Sequence, residues 1–217
     1  AVLEAPLYGM AGVSGINSVA LAQAGCEITL VDDNAERAEG VARIWDELEL
    51  EATVLQVEPT DWGNLPFDDD FFDAAYCTLS LHHFSDQAKG IGEICRVLRP
   101  GGRFVAFTSD PRRVPSDFWM RDYFGELFEQ AEGIFPSIEA LAEQLVACGF
   151  KEVISEPYLI PSDNEDGFFC SSWQRPNDYL HEDYRSGISS FRLMESERLK
   201  AAISSLKADL QSGRWET

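Results

Sequence analysis

The 217-residue sequence contains no apolar run near the roughly 18 to 20 residues that a membrane-spanning helix needs, and its first residues show neither the basic start nor the apolar stretch of a secretion signal. A cytoplasmic chain with no membrane partner is the expectation. Because the sequence opens inside an apolar strand-like run and stops soon after a helical one, it is also expected to be a trimmed product. Lysine is scarce, with Lys89, Lys151, Lys200 and Lys207 set against 38 acidic residues, and the net charge is -21. A chain this acidic opposes a phosphate backbone, which excludes nucleic acid as the expected partner. The five cysteines fall at 26, 77, 95, 148 and 170, with no C-x-x-C pair and no histidine at metal spacing. That excludes a zinc site and a disulfide framework, so no metal is expected.

What is present is an alternation of strand and helix patterns. Val2 to Ala5 and EITLV (27–31) read as strands, with a helical pattern INSVALAQAG between them. NAERAEGVARIWDEL reads as a helix capped by Asn34, ATVLQV as a third strand and FFDAAYCTLSL as a fourth. DQAKGIGEICRVL is a helix ended by Pro100-Gly101-Gly102, RFVAFTS a fifth strand, IEALAEQLVACGF a helix and KEVISEPYLI a sixth strand. The pattern predicts an α/β fold: a doubly wound, mostly parallel sheet in a three-layer α/β/α sandwich, 45% hydrophobic residues supplying one core. One domain is expected over 1–161, with a lid insertion at about 111–136. Residues 162–217 are expected to be a loop and helical cap of that same domain.

Ligands of such sheets bind beyond the carboxyl ends of the strands, where the strand order reverses. The residues at those ends are the glycine-bearing stretch EAPLYGMAGVSGINS (4–18), Asp32 and Asp33, Asp61 and Trp62, and Thr78 to Phe84. An acid closing the second strand can accept hydrogen bonds from two ribose hydroxyls. A solvated strand end is the alternative for Asp32.

The set resembles the class I S-adenosylmethionine-dependent methyltransferases, in the small-molecule branch of the ubiquinone and menaquinone methylases. The residues carrying the resemblance are VLE (2–4), TLVD (29–32), NLPFDDDFFDAAYCTLSLHHF (64–84), EICRVLRPGGRFV (93–105) and FPSIEALAEQLVACGFKEV (135–153). The resemblance implies S-adenosyl-L-methionine as cofactor and a small-molecule methyl acceptor. Glu4 would orient the methionine end of the cofactor, and Asp32 would hold the ribose. Asp61 would receive the adenine amino group, with Trp62 beside the ring. Thr78 and Leu79 would run past the methionine moiety, and His82 and His83 would stand at the entrance to the acceptor pocket.

Two departures from the family pattern stand out. Where the family has G-x-G-x-G, this chain has Ala5, Pro6, Leu7 and Tyr8, and its glycines Gly9, Gly12 and Gly15 come later. Asp33 stands where the family commonly has an apolar residue against adenine, and it is carried with Gly9 and Gly12 among the cofactor-binding candidates. Either a lengthened loop brings Gly9 and Gly12 to the cofactor by another route, or the chain is a non-catalytic scaffold that has lost cofactor binding. GVSGIN also resembles the glycine turn of short-chain dehydrogenases, but no tyrosine here is followed by lysine at the fourth position, as that proton exchange requires.

Methyl transfer needs a base only where the acceptor begins protonated, and His82 and His83 are the catalytic candidates because imidazole titrates nearest neutrality. They could equally cap the next helix or form pocket wall. Tyr8, Trp119, Tyr123, Phe124, Phe168, Phe169 and Trp173 could line an acceptor pocket, or serve as core. The oligomeric state is left open.

Overall fold

The computed structural model describes residues 1–7 and 15–216. Five strands, β1 (Val2–Glu4), β2 (Ile28–Asp32), β3 (Thr53–Gln56), β4 (Phe72–Thr78) and β5 (Leu98–Phe107), form one sheet in the order β3-β2-β1-β4-β5. Every pairing is parallel. The order reverses beside β1, whose residues pair on one side with β2 (Glu4 with Leu30) and on the other with β4 (Glu4 with Tyr76).

The chain divides into two compact units, described separately here. The sheet unit comprises 1–7, 15–109 and Ile138–Ser155; the second comprises Asp110–Ser137 and 156–216. The segment expected as a lid insertion and the tail expected as a cap thus fall in one unit.

In the sheet unit, helices α1 (Val19–Gln23), α2 (Ala35–Glu47), α3 (Gln87–Val97) and α5 (Ile138–Ala147) cover the strands, while α4 (Met120–Ile134) belongs to the second unit. Side chains alternate along each strand, so the two faces have separate cores. Leu3, Val31, Ala75 and Cys77 pack with Ile91, Ile94 and Leu141 of α3 and α5. Val2, Ile28 and Leu30 pack on Val41 and Trp45 of α2. The same alternation turns Glu4, Asp32 and Tyr76 toward the α1 and α2 face. Asn34 starts α2 by accepting the Arg37 N–H at 2.9 Å, and Asp86 starts α3 by accepting that of Lys89 at 3.1 Å.

The motif residues at 64–73 and 93–99 have a packing role. Arg96 of α3 donates to the carbonyls of Leu65 and Phe67 and to Asp69, and Glu93 accepts the Leu65 N–H at 2.7 Å, which fastens the loop before β4 to the helix after it.

Two expected elements differ. The fifth strand begins at Leu98 rather than after the Pro-Gly-Gly, and its register with β4 slips, Phe72 pairing Leu98 but Ala74 pairing Arg103. The extra residues are accommodated as a bulge, with Gly101 at φ +83°. The expected sixth strand, 151–160, is not a strand. Its apolar residues Ile154 and Leu159 are 78% and 86% exposed, and Pro157 offers no backbone donor, so the segment gains neither a buried face nor a complete ladder.

In the second unit, α4, α6 (Glu182–Ser186) and α7 (Ser196–Ser212) are joined by 3-10 turns at Pro176–Leu180 and Ser189–Leu193. They enclose an aromatic core of Phe124, Phe128, Tyr179 and Phe191.

Helix α3 carries two glycines with opposite environments. A Cβ at Gly90 would lie 2.7 to 2.9 Å from the Phe84 ring, which itself packs edge-on against Trp62; one at Gly92 would meet nothing within 4 Å. Alanine gains up to about 1 kcal/mol of helix propensity at either site, but overpacking costs about 1 to 3 kcal/mol. Gly90→Ala is therefore expected to lower the thermal midpoint and Gly92→Ala to raise it, each by a few degrees. Thermal unfolding of both variants checks the opposite signs.

Candidate active site at the carboxyl ends of the strands

Two polar clusters stand where β1, β2 and β4 end. The first surrounds Glu4, which is buried, and lies at the reversal of strand order. Its carboxylate accepts from the Ser18 hydroxyl at 2.5 Å, the Tyr76 phenol at 2.8 Å and the Asn17 amide at 3.2 Å, and the Ser18 and Tyr76 hydroxyls also touch each other. Burial, with Glu4's charge next in weight, pushes the Tyr76 phenol far up, so it stays protonated and donates. Glu4 thereby ties the end of β1 to the residues just before α1. A buried carboxylate needs such donors, and three side chains supply them.

The second cluster surrounds Asp32, whose side chain has 0% exposure. One oxygen accepts the Asn34 N–H at 2.8 Å and the Arg37 Nη2 at 2.8 Å, and Arg37 Nε reaches the two oxygens at 3.1 and 3.0 Å. The same Nη2 bonds Asp33 at 3.0 Å, and the other Asp33 oxygen accepts from the Trp62 indole at 3.2 Å. One guanidinium thus holds two neighbouring carboxylates, and Asp33 links them to the 3-10 turn Asp61–Gly63. Asp61 is exposed at the start of that turn, while Trp62 is buried.

Between β4 and α3 the chain turns sharply. Thr78 ends β4 opposite Phe107, and Leu79 adopts φ +51° while donating its N–H to the Phe107 carbonyl at 2.7 Å. Buried Ser80 donates to the Pro6 carbonyl at 3.0 Å, fixing the turn to the chain leaving β1. The His82 and His83 rings follow, with centroids 4.0 Å apart. Burial, and secondarily the charge of His83, holds His82 down to about 4. His83 is more exposed; burial and Arg37 lower it while Asp33 and Asp32 oppose them, which places it in the field of the Asp32 cluster.

Of the sequence candidates, Asp32, Asp33 and Trp62 are joined through hydrogen bonds, and Glu4 sits in a cluster of its own. Gly9, Gly12 and Tyr8 lie outside the described residues. Gly15 is described, and it packs the end of the loop on α2: its φ is +74°, a Cβ there would stand 2.7 Å from a Val41 methyl, and its carbonyl accepts the Trp45 indole N–H at 2.8 Å. Of the acceptor-pocket aromatics, Phe124 is buried in the core of the second unit, with Trp119, Tyr123 and Phe169 packed half-buried against it. Phe124 is enclosed, Phe169 packs against it, the Trp119 indole donates to the Trp173 carbonyl, and Tyr123 donates to Asp209. Among the described residues, no group of three or more His, Cys, Asp or Glu could hold a metal ion.

Sequence reasoning missed Arg37, Tyr76 and Ser18. A signal for Arg37 was available. A cation in the first turn of a helix opposes the helix dipole, so it needs a nearby carboxylate to be stable there.

The His82 shift carries a pH dependence. A histidine held below its unfolded value of 6.5 binds its proton more readily when unfolded, so its contribution to stability is full above pH 6.5 and is lost as pH falls toward 4. His82→Gln is expected to flatten the decline in denaturant midpoint between those values. Urea titrations at pH 7 and pH 4.5 measure it.

A family model described as a methyltransferase domain matches residues 10–106. The chain is 32% identical over 137 residues to the 2-methyl-6-phytyl-1,4-hydroquinone methyltransferase of Synechocystis, covering 59% of this chain and 42% of that one. It is 30% identical over 155 residues to the demethylmenaquinone methyltransferase of Clavibacter sepedonicus, covering 69% of this chain and 61% of that one. The chain therefore spans about half the length of these curated relatives. A solved structure from Anabaena variabilis, described as a methyltransferase from an antibiotic biosynthesis pathway, superposes with a TM-score of 0.80 at 29% identity, covering 99% of this chain and 81% of the other. With the five parallel strands and the acids at their carboxyl ends, these likenesses support a class I S-adenosylmethionine-dependent methyltransferase.

Proposed function

We propose that the chain transfers a methyl group from S-adenosyl-L-methionine to a small-molecule acceptor. The observation that carries the reading is Asp32: a buried carboxylate at the carboxyl end of β2, beside the strand where the order reverses. Its chemistry fits a ribose diol, since a carboxylate accepts hydroxyl donors, and Glu4 stands at the end of the adjacent strand. Asp32 would hold the ribose, Glu4 and Leu79 the amino-acid end, and Asp61 and Trp62 the adenine side, with Asp33 fixed next to them. Gly9, Gly12 and Thr78 complete the proposed cofactor set.

When bound, the cofactor supplies an electrophilic methyl on a sulfonium. The chain's own part is to hold the acceptor in line and to exclude water. Among the described residues, the carboxylates Glu4, Asp32 and Asp33 face one guanidinium in these clusters, a balance that favours a cationic ligand. An acceptor of hydroquinone type is consistent with the phytyl-hydroquinone named for one relative and is related to the demethylmenaquinone named for another. Such an acceptor gives up a proton, and His83 is the better placed to take it. His82 at about 4 is a weak base; His83 is also lowered, by burial and then Arg37, but it is the more exposed of the two and Asp33 and Asp32 oppose the shift.

The decisive measurement is calorimetric titration with S-adenosylhomocysteine. Saturable binding is expected, weakened at least several-fold in Asp32→Ala, because loss of a hydroxyl's acceptor costs about 1 to 3 kcal/mol. No binding at millimolar ligand, from folded protein, would sink the reading and leave a scaffold with the same sheet.

A further inference from the structure

A carboxylate has about four lone-pair positions. At Asp32, one oxygen is already taken by the Asn34 N–H and Arg37 Nη2, with Arg37 Nε shared between both oxygens, so at most one position remains for a new donor. A ribose diol brings two O–H donors. The side chain is also enclosed, at 0% exposure, so a hydroxyl reaches it only after a neighbour moves. Asn34 cannot be that neighbour, since its N–H is backbone at the helix start and its side chain caps α2. Arg37 can: it is 32% exposed, long and flexible, and already shares Nη2 with Asp33.

We propose that Arg37 competes with the cofactor ribose for Asp32, and that Asp33 is the seat to which its guanidinium withdraws when the ribose binds. The inference rests on the cofactor reading above and adds a residue pair to it. It accounts for an acid at position 33. With an apolar residue there, a displaced guanidinium would lose its carboxylate altogether and binding would carry the full cost of a broken charge-assisted pair. The Trp62 indole donates to one Asp33 oxygen and Arg37 Nη2 to the other, so the guanidinium already contacts the alternative seat. Coupling between the two aspartates through one cation makes Arg37 and Asp33 act with opposite sign on affinity.

Calorimetry with S-adenosylhomocysteine on the full chain tests this. Arg37→Ala removes the competitor and is expected to tighten binding about three- to tenfold, less than a whole ion pair because Asp33 recovers part of it. Asp33→Asn removes the charge of the alternative seat and is expected to weaken binding about three- to tenfold. In the Arg37→Ala background, Asp33→Asn is expected to weaken binding much less than it does in the wild type. General damage to the site weakens both single variants, so equal signs overturn the proposal, as does a double variant whose effects add. Thermal unfolding monitors the fold of each variant. If wild type and all variants bind nothing, the cofactor reading itself has failed, and this competition with it; binding by wild type with equal signs overturns the Arg37 role alone.

Discussion

Three residues of backbone, Val2–Glu4, pair with a strand on each side, and the candidate site depends on that double pairing. The parallel register sets the end of β1 beside the ends of β2 and β4. Period-two alternation then puts Leu3 into one core while Glu4, Tyr76 and Asp32 turn to the opposite face. Slipping β1 by one residue would exchange Leu3 and Glu4, exposing the apolar core to a carboxylate and dissolving both clusters together. The motif loop at 64–70 supports this arrangement from a distance, because Arg96 and Glu93 hold the approach to β4 and so the height at which Thr78 emerges.

The strands and helices up to residue 109 were legible because their patterns are periodic and their caps are local. Asn34 and Asp86 cap as their residue types predict. KEVISEPYLI was misread because β-propensity reports fitness for a pleated, half-buried surface, and no such surface forms around Ile154 and Leu159. The strand-end acids Glu4 and Asp32 were legible from topology, since a parallel sheet brings its carboxyl ends together. Their partners were not. Ser18 and Tyr76 reach Glu4 from 14 and 72 residues away, a proximity that only the folded sheet creates. Gly15 was legible as a loop glycine but not as the one whose Cβ would strike Val41. The aromatics of 118–173 could have been pocket or core on composition alone; the packing of Phe124 among Phe169, Tyr179 and Phe191 shows core for that residue.

The two acid clusters solve the same energetic problem in different ways. Glu4 is satisfied by neutral donors, so its negative charge persists in the site. Asp32 is satisfied mainly by a cation, which offsets the charge but occupies the lone pairs a ligand would need. A buried carboxylate left without either would cost several kcal/mol, so Asp32 requires a stand-in for any donor that would replace Arg37 there.

That requirement bears on Asp33, one of the two departures from the family pattern. A stand-in that is too good blocks the site, and one that is absent leaves the charge uncompensated; sharing Arg37 between Asp32 and Asp33 lies between these limits, because withdrawal costs the difference between two carboxylates rather than the loss of one. Asp33 is bonded to Arg37 as well as to the Trp62 indole, and an apolar residue at 33 would suit a chain without that arginine. The same reasoning explains why the second strand can end in two adjacent acids at a buried edge. Like charges side by side are tolerated there because one guanidinium lies against both, and the Trp62 indole fixes which oxygen it meets.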